Sequence, residues 1–236
     1  MKVLIVSDAH ANPWALEAVA RDIGPVDHVL FAGDAVNYGP EPRRTIAWLR
    51  EQGAIAVLGN HDRAVAFTSD PRASASKQAL ALAMRDWTWS ALSYADRMWL
   101  ERLPIRFTWE TGGTRFVVCH ATPCDPLFDY RFTPDAPEAL ADELLKGVDG
   151  DVLVVGHTHL AFVRRCGAIQ VVNPGSVGQP LDGDPRAAYA LWVDGVVTLC
   201  RTAYDVRPVV DALQHIPLSR MNHEALAKTL LTGRLE

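Results

Sequence analysis

Five short apolar runs each end in carboxylate, amide or imidazole side chains. That recurrence constrains the fold of this chain more than any other feature. Val3-Leu4-Ile5-Val6 stops at Ser7-Asp8-Ala9-His10. His28-Val29-Leu30-Phe31 leads to Gly33-Asp34, and Ile55-Ala56-Val57-Leu58 to Gly59-Asn60-His61-Asp62. Phe116-Val117-Val118-Cys119 leads to His120, and Val152-Leu153-Val154-Val155 to Gly156-His157-Thr158-His159. Unbroken apolar runs of this length read as strands buried on both faces of a sheet. Ligands of α/β sheets collect at the carboxyl ends of the strands. The pattern therefore predicts one site assembled from five strand ends.

Between the runs the sequence alternates in kind. Asn12-Pro13 reads as a helix N-cap followed by proline in the first turn, and the helical spacing from Trp14 to Ile23 stops at Gly24-Pro25. A second amphipathic helix is expected around Arg43–Gln52. The opening is thus β-α-β-α-β, the signature of a parallel sheet with right-handed crossovers. From Asp62 to Leu103 the pattern is helical, with Trp87, Trp89 and Trp99 expected to fill the seam beneath this excursion, which is placed as a cap over the site. Ile105–Trp109 and Arg115–Cys119 predict a hairpin around Thr111-Gly112-Gly113. Ala121–Ala136, following His120, is expected at the rim of the site as a specificity loop. A helix is expected near Pro137–Lys146, an antiparallel meander over Leu160–Cys200, and one or two helices over Asp205–Leu235, broken at Pro217. No linker or repeat interrupts residues 1–236, so a single domain is expected.

The bulk properties exclude several classes. A formal net charge of −5 argues against a broad basic surface for long nucleic acid but leaves room for a local phosphate pocket. No apolar stretch is long enough to span a bilayer, and the first apolar run is too short for a signal peptide. The four cysteines form no C-x-x-C pair, so reduced thiols and a cytoplasmic location are expected.

Five of the eight histidines (10, 61, 120, 157 and 159) lie at or beside the strand ends. Taken singly, each has an ordinary explanation: Asp34 as a turn residue, Asn60 as a helix cap, Gly156-His157 as a loop. Their conjunction predicts a metal site. Mixed nitrogen and oxygen donors without a thiolate suit Mn, Fe, Zn, Co or Ni better than Mg or Ca.

In that order, Asp8-Ala9-His10, Gly33-Asp34, Gly59-Asn60-His61-Asp62, His120 and Gly156-His157-Thr158-His159 resemble the blocks of the calcineurin-like metallophosphoesterases. Asn173-Pro174-Gly175-Ser176-Val177-Gly178 after the last block makes the chain most similar to the small bacterial phosphodiesterase branch. The resemblance implies an α/β fold, a four-layer α/β/β/α sandwich of two mixed sheets flanked by helices. It implies two divalent metal ions, one held by Asp8, His10 and His159, the other by Asn60, His120 and His157, with Asp34 bridging. It further implies His61 as general acid against a phosphoester attacked by hydroxide formed at the ions. A bridging carboxylate holds such ions ~3.5–4 Å apart, the spacing that clamps both reacting oxygens in phosphoryl transfer.

Two departures bear on substrate. Where the protein-phosphatase branch continues with Asp-Arg-Gly, this chain has Asn37-Tyr38-Gly39. A neutral Asn37 stabilises an imidazolium less than a carboxylate does, and Tyr38 cannot neutralise a dianionic monoester. Both favour a small phosphodiester or nucleotide over a phosphomonoester or phosphoprotein, the competing enzymatic reading; a non-catalytic scaffold of the same fold is the reading from another class. Asn12, Asn37, Tyr38 and Arg131 are the expected substrate-binding residues, Asn12 by placing a helix N-terminus beside a phosphate oxygen. Arg131, Arg164, Arg165 and Arg186 are the candidates for the missing positive charge, since Leu181 stands where relatives often carry a basic residue. The Asn173–Gly178 turn either reverses the chain or lines the site.

Overall fold

A computed structural model describes residues 1–73 and 77–234. Residues 74–76, within the expected helical excursion, and Leu235, at the end of the expected terminal helices, lie outside the described residues.

The first sheet is built on β1 (Lys2–Val6), β2 (His28–Phe31) and β3 (Ile55–Ala56), parallel to one another and connected by α1 (Pro13–Ile23) and α2 (Pro42–Glu51). Asn12 caps α1 through its side chain, which accepts from the Ala15 amide, and Pro13 occupies the first turn. The expected third strand is cut short. The Val57 amide still donates to the Phe31 carbonyl of β2 and the outward-facing Leu58 amide to the Pro104 carbonyl, after which the chain turns into α3 (Asn60–Ala66).

After α3 come α4 (Gln78–Ala91) and α5 (Tyr94–Glu101), then the expected hairpin, β4 (Arg106–Thr111) with β5 (Thr114–Cys119). Helix α6 (Glu138–Leu144) leads to β6 (Val152–Val154), which lies parallel to β5. The stretch expected as a single meander is divided between two sheets. β7 (Phe162–Cys166) and β8 (Ile169–Asn173) form a hairpin whose second strand pairs with β6, giving the sheet order β4-β5-β6-β8-β7. β9 (Ala187–Val193) and β10 (Val196–Thr202) form another hairpin that joins the first sheet, in the order β10-β9-β1-β2-β3. The cause lies in residues 174–186, which leave β8 and bind β1's end: the Val177 amide donates to the Ser7 carbonyl and that of Gly178 to the Asp8 carbonyl. β9 is thereby delivered to the free edge of β1.

Alternation along the strands sets the layers. Val3 and Ile5 of β1 face Phe116 and Val118 of β5 and Val152 and Val154 of β6 in the core between the sheets. Leu4 and Val6 point the other way, onto Leu16 and Val19 of α1 and Ile46 and Leu49 of α2. Val117, Cys119 and Leu153 pack outward with Ala141 and Leu144 of α6. The architecture is therefore α/β/β/α, two mixed five-stranded sheets flanked by helices, as expected.

A further apolar cluster joins Ala81 and Met84 of α4 to α7 (Arg207–Leu213) and α8 (Arg220–Thr232), around the ring of Tyr38. Trp99 packs between the helical excursion and the first sheet, as expected; Trp87 packs instead at the seam with α7 and α8, and Trp89 is exposed, with the Arg97 guanidinium 4.4 Å from its ring centre. Among the described residues no helix is long and apolar enough to cross a membrane.

Candidate metal centre

The five strand ends meet where the two sheets come together. Past β1 and β2 the ladder continues as loop-to-loop bonds: Asp8 donates to the Gly33 carbonyl (2.9 Å), His10 to Asp34 (3.0 Å) and Ala11 to Ala35 (2.8 Å). Turning side chains sharply from these ends needs the left-handed backbone region. Asp8, His10, Asp34, Asn37, Tyr38, His157 and His159 all adopt positive φ, between 43° and 76°. Such conformations are unfavourable for residues with a Cβ and collect where a site demands them. Two glycines supply the clearance: a Cβ on Gly59 would lie 2.0 Å from Asp34 Oδ1, and one on Gly156 would lie 1.9 Å from Ser7 Oγ.

The side chains converge as two adjoining groups. In one, His10 Nε2 lies 3.2 Å from His159 Nε2 and 4.0 Å from Asp8 Oδ1, and His159 Nε2 lies 3.4 Å from Asp8 Oδ1. In the other, His120 Nε2 lies 3.2 Å from Asp34 Oδ2 and 3.0 Å from Asn60 Oδ1, and His157 Nδ1 lies 3.1 Å from both Asn60 Oδ1 and His120 Nε2. Asp34 spans the two, with Oδ2 also 3.8 Å from His10 Nε2. Donor atoms of Asp8, His10 and His159, and of Asp8, Asp34 and His120, are mutually close enough to hold a cation. Asp8 thus faces both groups.

Bonds on the outer side of each ligand decide what faces inward. The Nδ1 atoms of His10, His120 and His159 donate to the carbonyls of Val36 (3.3 Å), Ala32 (2.7 Å) and Gln179 (2.6 Å). Asn60 Nδ2 donates to the Pro71 carbonyl (2.7 Å), so its amide oxygen points inward. The Asp34 carboxylate accepts from the His61 amide, and Asp8 Oδ2 accepts from the His157 amide. What remains is a buried set of lone pairs aimed at one another. Asp8 Oδ1 has no hydrogen-bond partner, and His10 and His159 turn Nε2 lone pairs toward each other across 3.2 Å. A cation satisfies these inward-facing atoms together, so the donor set fits divalent metal ions.

The titration behaviour follows from the same crowding. Burial would lower His120, but the Asp34 and Asp8 carboxylates outweigh it and raise its pKa to about 9. Burial depresses His10, His157 and His159. It also raises Asp8, whereas the surrounding histidines overcome burial at Asp34 and hold it well below the ordinary carboxylate range.

A cavity of about 630 Å³ opens over these groups. His61 and Tyr38 line it, and Asn37 reaches it through His61, its Nδ2 being 2.7 Å from His61 Nδ1. Two expected substrate residues do not line it. Arg131 is turned away, its guanidinium paired with Asp129 (2.9 Å) and Glu143 (3.4 Å). Asn12 is spent on structure: its oxygen caps α1, and its amide donates to the Gly178 carbonyl and the Tyr204 hydroxyl. Arg164 binds the Ala136 carbonyl and Arg186 is paired with Asp184, so neither supplies the cavity's charge. The cations that do line it are Arg72 and Lys77. From the rim loop the contributor is Tyr130, whose ring lies against His157 with centroids 3.7 Å apart.

Sequence reading also missed the supports. Asp62 accepts from the amides of Asp34, Val36 and Gly59, locking the β2 loop to α3; burial, then the neighbouring Asp34, raises its pKa to about 7. Asn173 donates to the Gly156 carbonyl and Ser176 to that of Asp8, so the Asn173–Gly178 turn braces two ligand loops. The Asp62 signal was present, an acid three residues past Gly59 at a helix start.

Comparison with known proteins agrees with this geometry. The family model for the calcineurin-like phosphoesterase superfamily domain matches residues 1–194. An uncharacterised protein of Methanocaldococcus jannaschii is 29% identical over 252 residues, covering 98% of each chain. The phosphodiesterase YfcE of Escherichia coli is 27% identical over 214 residues, covering 84% of this chain and 91% of its own. The crystal structure of a metallophosphoesterase from Sphaerobacter thermophilus superposes with a TM-score of 0.80 at 32% identity, covering 99% of this chain and 100% of that one.

Two outcomes are expected. Gly59→Ala removes no donor but intrudes on Asp34, so Mn²⁺ affinity measured by calorimetry should fall by about tenfold or more while the circular dichroism spectrum is retained. Because His120 is protonated below about 9 in the metal-free protein, an incoming ion must displace that proton. Affinity should therefore rise with pH, by up to ~tenfold per unit, and level off above pH 9, with proton release visible as a buffer-dependent binding enthalpy.

Proposed function

Since the chain belongs to the calcineurin-like phosphoesterase superfamily, we propose that it hydrolyses small phosphodiesters or nucleotides at a centre of two divalent ions. Asp8, His10 and His159 would hold one ion, and Asn60, His120 and His157 the other, with Asp34 shared. The observation that carries this reading is the buried, unpartnered Asp8 Oδ1 among converging histidine lone pairs. Bound, such ions supply Lewis acidity and a water of lowered pKa.

The protein's own groups then set the preference. Tyr38 is buried and its phenol is pushed upward by burial, so it remains neutral and brings no charge to a dianionic monoester. A diester carries one charge at most on its phosphate and needs less neutralisation.

His61 is placed to hold a proton at Nε2. The Ala81 carbonyl, 3.3 Å from Asn37 Nδ2, fixes the orientation of that amide, which donates to His61 Nδ1. Nδ1 is therefore the acceptor and Nε2 carries the hydrogen. Burial, with His120 and Lys77 nearby, lowers the imidazole to about 4 despite Asp34. His61 thus offers a departing oxygen a neutral N–H donor, which serves stable leaving groups better than alkoxides.

Mn²⁺-loaded protein should turn over bis-p-nitrophenyl phosphate faster than p-nitrophenyl phosphate; the reverse order would reject the diesterase preference. Asn37→Asp would place a carboxylate on His61 Nδ1 and raise its pKa. That variant should hydrolyse alkyl diesters about tenfold faster, with a smaller effect on nitrophenyl esters. Equal effects on the two classes would remove His61 from leaving-group protonation.

A further inference from the structure

A second cavity of about 320 Å³ lies beside the one over the metal centre, and Tyr38, Lys77 and Gln179 line both. Its walls combine Leu80 of α4 and Ala225 and Leu226 of α8, a helix beyond the residues matched by the family model, with the polar side chains of Asn222, Lys228, Thr229 and Arg234. The annex adjoins the larger cavity at Tyr38, Lys77 and Gln179, which form the neck between the two.

Lys77 is the group in that neck without an evident structural purpose. It is partly buried and makes no ion pair among the described residues, whereas Arg72, the other cation over the metal centre, is held 4.3 Å from the ring centre of Phe128. Burial lowers the Lys77 pKa to about 8, with no neighbouring acid to offset it. Lys77 is also the N-cap residue of the 14-residue helix α4, and its own side chain makes no capping hydrogen bond there. A cation is disfavoured at that end of a helix, where the backbone dipole and free amides attract anions. Partial desolvation, absence of a counter-ion and the wrong helix end all fall on one ammonium, placed where two cavities join. Each of these costs is relieved by an anion at the same point.

We propose that Lys77 binds a second anionic group of the substrate, with the reacting phosphoester on the metal-centre side and an organic arm of the same molecule in the annex, against Leu80, Ala225 and Leu226. The substrate class is then a phosphodiester bearing a further phosphate or carboxylate on one arm. The proposal rests on the phosphodiesterase reading for the reacting ester only; the anion site itself is a matter of binding.

Thymidine 5′-(p-nitrophenyl phosphate) and its 3′-phosphorylated counterpart differ by one phosphate and report turnover directly. Thymidine 5′-monophosphate and thymidine 3′,5′-bisphosphate report binding by calorimetry without turnover. In Mn²⁺-loaded wild type, the 3′-phosphate should lower both KM and Kd by about tenfold, the scale of one charge-assisted contact. Lys77→Met and Lys77→Gln should bring the ratio toward parity, and Lys77→Arg should preserve it. Lys146→Met, at an exposed position after α6, changes net charge equally and should also preserve it. Equal affinities in wild type, or a ratio that survives in Lys77→Met and Lys77→Gln, would overturn the proposal. A free 3′-carboxymethyl analogue that gains as much as the 3′-phosphate would assign the site to anions in general. A calorimetric ratio that depends on Lys77, with neither ester hydrolysed, would sustain the anion site and reject the phosphodiesterase reading alone.

Discussion

Everything in this structure answers to the cost of burying like-featured acceptors against one another. Asp8 and Asp34 have almost no exposed surface, and ring nitrogens of four imidazoles, His10, His120, His157 and His159, crowd into the same volume. In the absence of a cation that concentration is repulsive, and side chains free to rotate would swing apart. They are held by bonds on their outer sides, nearly all to backbone groups: Val36, Ala32, Gln179 and Pro71 carbonyls, and His61 and His157 amides. Backbone partners cannot be repacked one at a time, so the geometry is fixed by the folding of two sheets rather than by neighbouring side chains.

This explains why strain gathers at the strand ends. Eight of the non-glycine residues with positive φ, Ala11 among them, belong to the centre or to the loops beside it. In ordinary extended backbone Asp8 and His10, two residues apart, would share a face but stand about 6.6 Å apart along the strand. Turning through the left-handed region draws their side chains toward a common point. The burial of Phe116, Val118, Ile5 and Leu30 between the sheets is what holds these turns in place.

What the sequence made legible follows from the same physics. Apolar runs and their terminal ligands could be read because a strand buried on both faces has an unmistakable pattern, and because His and Asp at five successive strand ends have few other uses. The opening β-α-β-α-β, the hairpin of β4 and β5, and the α6 connection were likewise local signals. Sheet membership of β7 to β10 was not local: whether four alternating strands form one meander or two hairpins depends on the backbone bonds of Val177 and Gly178 to β1's end, which no periodicity encodes. Arg131 misled because rim position was read as orientation, and the acids that capture it, Asp129 and Glu143, lie two and twelve residues away. Asn12 misled because a residue that caps a helix and also donates to Gly178 and Tyr204 has nothing left for a ligand.

The distribution of charge around the cavity carries the argument from fold to specificity. At the Tyr38 position the chain places a neutral phenol inside the apolar seam of α4, α7 and α8. Lys77, at the start of α4, lines the same two cavities as Tyr38 and brings a positive charge to their junction. On the proposed reading, a cation there rather than beside the reacting phosphate leaves that group a monoanion and asks for the second charge elsewhere in the molecule. The terminal helices pack against α4 around Tyr38 and so hold Tyr38 and Lys77 where both line the two cavities.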